Sequence, residues 1–233
     1  MKNPNLDLLL KIAHRLKPLL DEVVFVGGCT TALLITDPGA EAIRPTYDVD
    51  VIVEITSYAD YAVFSERLRA LGFQEDSSEG APLCRWQWEQ TKLDVMPLDE
   101  GVLGFSNRWY RETMTKAEPV RLDPKTVIRA ITAPYFLATK LEAFHGRGRG
   151  DVFASHDLED VIAVIDGRPT ITEEIQAADA SVRTFISRAI ASLLADRRFL
   201  DALPGYLLPD TANQRRLGQL KSTLETISSN KEL

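Results

Sequence analysis

The segment DVDVIVEI, residues 48–55, constrains the fold of this chain more than any other stretch. Polar and apolar residues alternate at its start and then give way to an apolar run, which predicts a β-strand. Asp48 and Asp50 lie two residues apart, so their side chains leave the same face of the strand roughly 7 Å apart. Because crowded carboxylates repel and hard oxygen ligands favour Mg²⁺ or Mn²⁺, we expect a divalent cation between them. A pair of solvated acids at a strand end is the alternative interpretation.

A third acid, Asp94, lies in the segment KLDVMPL. The apolar residues on either side of it should point to the opposite face of a strand. Residues 84–98 predict a hairpin, with its two strands joined near Gln90 and Thr91, beside the strand that carries the first two acids. Three acids on neighbouring strands are what a two-metal phosphoryl-transfer site needs, because shared carboxylates bridge ions about 4 Å apart.

A glycine pair, Gly27 and Gly28, follows the apolar run VVFV and precedes TTALLI. The pattern predicts a strand, a tight turn and a helix that ends at Asp37 and Pro38. Because glycine has no side chain, backbone N–H groups in such a turn can approach phosphate oxygens at a helix N-terminus. We therefore expect Gly27 and Gly28 to contact a nucleotide.

The organisation of the chain changes near residue 125. Residues 6–20 and 57–71 predict amphipathic helices, and the strands lie among them. After residue 125 the apolar spacing is helical almost throughout. We expect a mixed α/β domain over residues 1–125 and a helical domain over residues 126–233.

Composition limits the classes of protein that need considering. The 233 residues carry a net charge of −7, so bulk electrostatics should not hold nucleic acid, and any polyanion must meet a local basic patch or metal ions. No run of about eighteen apolar residues occurs, and the N-terminus does not resemble a secretory signal. We expect a soluble cytoplasmic protein with no membrane partner. The two cysteines, Cys29 and Cys84, are interpreted as small buried residues.

Two groups of motifs carry a family resemblance. The glycine turn, RPTYDVDVIVE and KLDVMPL together resemble the DNA polymerase β-type nucleotidyltransferase superfamily. The segment YFLATKLEAFHGRGRGDVFASHDLEDVIAVID, residues 135–166, is similar to the C-terminal signature of the AbiEii/AbiGii-type (MenA-like) nucleotidyltransferase toxins.

The resemblance implies a fold, an activity and partners. The fold would be α/β (α+β), a short mixed sheet with flanking helices, followed by a helical domain, with the active site in the cleft between the two. The activity would be transfer of a nucleotide from an NTP to a hydroxyl acceptor with Mg²⁺ or Mn²⁺. In characterised members the acceptor is often the 3′ end of tRNA, and a cognate antitoxin is a possible partner.

The resemblance also implies roles for the acids and for the glycine turn. Asp48 and Asp50 would bind both metal ions, and Asp94 would bind the ion that activates the acceptor. The superfamily usually has Gly-Ser where this chain has two glycines. The hydroxyl that contacts phosphate would therefore come from Thr30 or Thr31.

In the second half, Lys140 and a downstream acid, Asp157 or Asp160, would lie near the nucleotide by the same resemblance. An ordinary surface lysine is the alternative for Lys140. Arg147 and Arg149 either contact RNA or phosphate or only favour a helix C-terminus by their charge.

Other residues and the function itself have alternatives. The three tryptophans could stack on bases or fill a core, and the basic residues Arg215, Arg216 and Lys221 could contact tRNA or form a solvated helix face. The same chemistry could act on a small acceptor, as in antibiotic nucleotidyltransferases. A non-catalytic binding partner on the same fold is the alternative from another class.

Overall fold

The computed structural model describes residues 3–40, 44–146 and 150–229. These residues form two compact units. The first comprises the described residues of Met1–Ala32 and Arg44–Thr132, and the second those of Leu33–Ile43 and Ala133–Leu233.

A mixed sheet is the centre of the first unit. Within the described residues it has seven strands, in the order β3-β4-β5-β2-β1-β7-β6. The strands are β1 Val23–Val26, β2 Asp48–Val53, β3 Gln74–Glu75, β4 Arg85–Trp88, β5 Thr91–Pro97, β6 Glu118–Asp123 and β7 Thr126–Ala130. The pairs β2–β5 and β1–β7 are parallel, and the other neighbours are antiparallel. The last strand, β7, lies in this sheet although it follows the expected boundary near residue 125.

Helices make up most of the remaining regular secondary structure of both units. The first unit has α1 Pro4–Arg15, α3 Tyr58–Ala70, α4 Glu100–Leu103 and α5 Tyr110–Lys116, and the short α2 Thr31–Leu34 is where the chain passes from the first unit to the second. The second unit has α6 Ala133–His145, α7 His156–Gly167, α8 Ile171–Ala177, α9 Ala180–Ala195, α10 Arg197–Ala202 and α11 Thr211–Ser229. Within the described residues, none of the helices combines the length and the apolar character that crossing a membrane requires.

The two predicted helices of the first half are present, and the first is shorter than predicted. Helix α1 stops at Arg15, and a 3₁₀ turn with Pro18 follows it, because proline lacks the N–H that the next α-helical hydrogen bond needs. Ser57 caps helix α3, since its side chain accepts a hydrogen bond from the Asp60 N–H at 3.1 Å.

The glycine turn leads into a shorter helix than the sequence predicts. A 3₁₀ turn, Gly28–Thr30, precedes α2, which ends at Leu34 rather than at the Asp37–Pro38 stop. The N–H groups of Thr36 and Asp37 both donate to the carbonyl oxygen of Gly167, at 2.9 Å each. This contact within the second unit replaces the hydrogen bonds that would continue the helix.

The predicted hairpin is confirmed, with its turn one residue earlier. Trp88 pairs with Thr91, so the turn residues are Glu89 and Gln90. Glu89 has a φ of 53°, in the left-handed region that a two-residue hairpin turn requires. The hairpin lies beside β2, as predicted, through parallel pairing of β2 with β5.

A buried asparagine, Asn5, joins three segments of the first unit. Its side-chain Nδ2 donates to the Arg44 carbonyl at 3.1 Å, and its Oδ1 accepts from the Thr46 N–H at 3.0 Å. The Cys29 thiol, in the glycine turn, donates to the Asn5 carbonyl at 3.2 Å. The start of α1 therefore fixes both the glycine turn and the segment that enters β2.

We predict that Asn5→Ala lowers the free energy of unfolding by about 2–4 kcal/mol, because it leaves the Arg44 carbonyl and the Thr46 N–H without their partner. Urea denaturation measures the change. Asn3→Ala is the matched control: it removes only the cap of α1, which accepts from the Asn5 N–H at 3.0 Å, and should cost about 1 kcal/mol. Equal losses in the two variants would contradict the role assigned to Asn5.

Candidate active site

The three predicted acids lie on one face of the sheet in the first unit. Asp50 on β2 is in direct register with Asp94 on β5, and side chains of residues paired in this way point to the same face. Asp48 lies two residues before Asp50 on β2 and shares that face. Sheet pairing therefore brings together the acids that the sequence analysis singled out. We call this group the carboxylate face.

An arginine that the sequence analysis missed completes the carboxylate face. Arg85 on β4 is in register with Asp94. Its Nε and Nη2 donate to the two oxygens of Asp94 at 2.8 and 2.7 Å, and Nη2 also donates to Asp48 Oδ2 at 3.0 Å. The hydrogen bond to Asp94 is the main reason why the pKa of Arg85 is raised. The guanidinium is thus the counter-charge that joins two of the acids.

A second cation shares this face. Lys92 on β5 is in register with Asp48, so both side chains point to the same side of the sheet. The carboxylate face therefore combines three acids with two basic residues of the hairpin.

Gly27 makes room for one of the acids. Its φ is 73°, and a Cβ atom placed on it would lie 1.8 Å from Asp50 Oδ2. Any side chain at this position would displace the Asp50 carboxylate. The first glycine of the pair is therefore required by the close approach of Asp50, a reason that the sequence analysis did not give. Contact of Gly27 and Gly28 with phosphate stays a prediction.

The hydroxyls of the glycine turn are buried. Thr30 and Thr31 are fully buried, and the Thr30 hydroxyl donates to the Gly27 carbonyl at 2.7 Å. Among the described residues, Thr31 Oγ1 has no hydrogen-bond partner. The Thr30 hydroxyl therefore holds the turn together, and its predicted contact with a nucleotide remains untested.

The cysteines are buried, as predicted. Burial, followed by smaller effects that include the charges of Asp50 and Asp48, raises the pKa of Cys29 to about 12. Burial and then the charge of Asp94 raise the pKa of Cys84 to about 12. Because the thiolate is the reactive form of cysteine, neither thiol provides a nucleophile near neutral pH.

Lys140 belongs to a buried ion cluster of the second unit. It lies on α6 with 8% of its surface exposed, and its Nζ is 3.0 Å from Asp157 Oδ1 and 2.7 Å from Asp160 Oδ2, both on α7. Burial lowers its pKa, but the charges of Asp160 and Asp157 outweigh burial, and the net pKa is raised. The alternative of an ordinary surface lysine is wrong. The three residues predicted to lie near the nucleotide do lie together, and their role in binding it stays a prediction.

Other polar and aromatic residues have structural roles, and two predicted contacts lie outside the described residues. Ser155 caps α7, because its side chain accepts from the Leu158 N–H at 3.3 Å. Trp86 and Trp109 are buried in the core, and Trp88 is covered by basic side chains of α1. Two further candidates, Arg147 and Arg149, lie outside the described residues.

Of the three residues of the basic face predicted near the C-terminus, Arg216 forms ion pairs. Arg216 Nη2 is 2.7 Å from Asp37 Oδ2, and Arg216 Nε is 2.9 Å from Asp166 Oδ2. Arg215 and Lys221 are exposed. Arg216 therefore stabilises the second unit rather than belonging to an open basic surface.

The donor atoms of the carboxylate face suit a divalent cation, but the hydrogen bonds that these atoms now accept do not leave them available to one. Carboxylate oxygens on one face suit Mg²⁺ or Mn²⁺, and the missing side chain of Gly27 admits the Asp50 carboxylate to this face. Within residues 3–40, 44–146 and 150–229, however, no three His, Cys, Asp or Glu side chains are grouped so that they could hold a metal ion. Arg85 engages both oxygens of Asp94 and one of Asp48. A cation would therefore have to replace the guanidinium.

Comparison with known proteins finds similarity in structure only. No family model and no curated protein matches the sequence. An antigenic nucleotidyltransferase-like protein from Paracoccidioides brasiliensis has a similar structure, with a TM-score of 0.52 and 20% sequence identity over 86% of this chain and 92% of that one. JHP933 from Helicobacter pylori is also similar, with a TM-score of 0.50 and 10% identity over 98% of this chain and 93% of that one. These likenesses, together with the mixed sheet and its helices, show that the chain has the predicted nucleotidyltransferase-like α/β fold.

Proposed function

We propose that this protein is a metal-dependent nucleotidyltransferase that moves a nucleoside monophosphate from an NTP to a hydroxyl acceptor. The observation that supports the proposal most is the carboxylate face, where Asp50 lies opposite Asp94 and Asp48 lies beside them. A fold can host many functions, so the proposal rests on these side chains more than on the fold.

The proposed reaction needs no side-chain nucleophile. The acceptor hydroxyl loses its proton to water and its oxygen attacks the α-phosphorus, a new P–O bond forms, the bond from the α-phosphorus to the bridging oxygen breaks, and pyrophosphate leaves. When bound, Mg²⁺ or Mn²⁺ would make the acceptor hydroxyl more acidic and neutralise the charge of the leaving pyrophosphate. Asp48, Asp50 and Asp94 would hold the ions, and Gly27 would leave room for the Asp50 carboxylate. The contribution of the protein is then positioning and charge neutralisation.

The acceptor that we propose is the 3′ end of tRNA, with the protein acting as the toxin of a toxin–antitoxin pair. This finer proposal rests on the resemblance of residues 135–166 to the AbiEii/AbiGii-type toxins. The net charge of −7 favours a second candidate, transfer to a small neutral or cationic acceptor, because an acidic protein repels a polyanion. The ion pairs of Arg85 favour a third, a binding protein without catalysis, since they engage oxygens that a metal would need.

One experiment distinguishes the candidates. The protein is incubated with total tRNA, Mg²⁺ and each labelled NTP in turn, and label is sought in the RNA. Label that enters tRNA and falls steeply with added salt supports the tRNA acceptor. Absence of label from RNA, with label in a small acceptor, supports the second candidate. A protein that neither binds metal nor transfers any nucleotide supports the third.

We predict that Asp48→Ala and Asp50→Ala each lower the rate of nucleotide transfer about a hundredfold or more, because a lost electrostatic catalyst costs that much. Both variants should unfold cooperatively, since removing one acid relieves repulsion on the carboxylate face. Asp7→Ala, an exposed acid on α1, is the control and should retain the wild-type rate. Retention of more than about a tenth of that rate by either site variant would refute the metal assignment.

The Lys140 cluster yields a prediction about stability. Lys140→Met should lower the free energy of unfolding by about 3–5 kcal/mol, because it removes the ammonium that both buried acids contact. Changing both acids to asparagine in the same chain should recover most of the loss, since the two buried negative charges are then removed together with the positive one. Urea denaturation of the single and triple variants measures both effects. Equal stability of the two would show that the cluster does not act as a charge cluster.

The triple variant also tests whether Lys140 contacts the nucleotide. If Lys140 binds the triphosphate, removal of a charge-assisted contact should weaken binding of Mg²⁺-NTP about tenfold or more. Calorimetric titration of wild type and the folded triple variant measures the difference. Equal affinities would remove Lys140, Asp157 and Asp160 from the nucleotide site and leave the cluster a structural role.

A further inference from the structure

Arg85 occupies the position of a counter-ion on the carboxylate face. We propose that Arg85 competes with the divalent cation: its guanidinium neutralises Asp94 and Asp48 in the metal-free protein, and it must leave them before the cation binds. Arg85 is then a positioning residue that sets the affinity for metal. The inference rests on the proposed function, because it concerns the same acids.

The charges on the face explain why a counter-ion is needed. Asp50 and Asp94 are paired on adjacent strands, where like charges directly opposite each other destabilise a sheet. Only 10% of the Asp94 side chain is exposed, so water screens its charge poorly. A buried carboxylate requires a positive partner or loses its charge. Arg85 meets this requirement from the neighbouring strand.

The geometry makes the guanidinium and a metal ion exclusive partners of Asp94. Arg85 donates to both Asp94 oxygens, at 2.8 and 2.7 Å, in the paired arrangement that fits a carboxylate best. A Mg²⁺ ion held by the lone pairs that accept these two hydrogen bonds would take the place of the guanidinium hydrogens, and its charge would repel the guanidinium. The hydrogen bond from Arg85 to Asp48 Oδ2 would be lost for the same reason. Metal binding must therefore break the ion pairs of Arg85.

Exposure allows the arginine to leave. The Arg85 side chain is 18% exposed and the Asp48 side chain is 37% exposed, so the guanidinium lies at the edge of water rather than in the core. Rotation of its side chain toward solvent would release the carboxylates without unfolding the strand. The free energy needed to break these ion pairs then lowers the observed affinity for metal.

The experiment titrates Mn²⁺ alone, without nucleotide, into wild type and Arg85→Gln by calorimetry, and records melting temperatures with and without Mn²⁺. Arg85→Gln should bind Mn²⁺ about tenfold more tightly or better, because no charge-assisted pair has to break. Its melting temperature should fall without metal and rise more than that of wild type when Mn²⁺ is added. Arg85→Lys, which keeps the charge and loses the paired geometry, should have an intermediate affinity.

The matched control is Arg67→Gln. Arg67 makes the same kind of paired contact, to Glu22 at 2.6 and 2.5 Å, on the first unit but with a carboxylate that is not one of the three acids. This variant should lose stability and bind Mn²⁺ as wild type does. Comparison of the two variants distinguishes the effect of losing an ion pair in general from the effect of losing the Arg85 guanidinium.

Each outcome decides the question. Equal or weaker Mn²⁺ binding by Arg85→Gln, with measurable binding by wild type, overturns the inference and leaves the proposed function intact. Absence of Mn²⁺ binding in every variant overturns both. If Arg85→Gln does not fold without metal, restoration of its folding by Mn²⁺ supports the inference. Failure to restore it, with no tighter binding by Arg85→Lys, overturns the inference.

Discussion

The pairing of β2 with β5 places two negative charges side by side, and the surrounding structure accommodates that placement. Asp50 and Asp94 lie in direct register, in a geometry that is unfavourable for two carboxylates without a positive partner. Gly27 gives space to one of them, and Arg85 gives a positive charge to the other. Asn5 fixes the chain just before β2. Residues distant in sequence thus stabilise the pairing of β2 with β5.

Much of the fold could be predicted because local signals and tertiary structure agree. Helices α3 and α7 have apolar stripes and capping serines at their starts, α6 is predominantly apolar, and the hairpin has alternating residues on both strands. The early end of α2 could not be predicted, since it depends on hydrogen bonds to Gly167, more than a hundred residues away in the chain. The placement of β7 in the first unit depends equally on a partner strand, β1, that no local pattern identifies.

The acids of the candidate site were predictable and their counter-ion was not. Alternation places Asp48 and Asp50 on one face of their strand and Asp94 opposite its apolar neighbours, and pairing of the two strands then puts all three on one face. Locating Arg85 opposite Asp94 requires the register of the hairpin, and the sequence suggested a turn one residue too late. Glu89 is the cause, because a glutamate is an uncommon residue in the left-handed region and gives no signal for a two-residue turn. The sequence position of Lys140 did not reveal that the side chain is buried and that it forms ion pairs with two acids of the next helix.

The turn at Glu89 and Gln90 has a consequence for the charge of the carboxylate face. A hairpin turn moved by one residue along the chain changes the pairing of its strands by two residues, which keeps every side chain on its face. In this hairpin such a move would place Gln87 opposite Asp94 where Arg85 now stands. Arg85 would stay on the face but lie opposite Met96, and Asp94 would face a neutral amide without any substitution among these residues. The backbone conformation of one exposed turn therefore determines whether Asp94 lies directly opposite a cation.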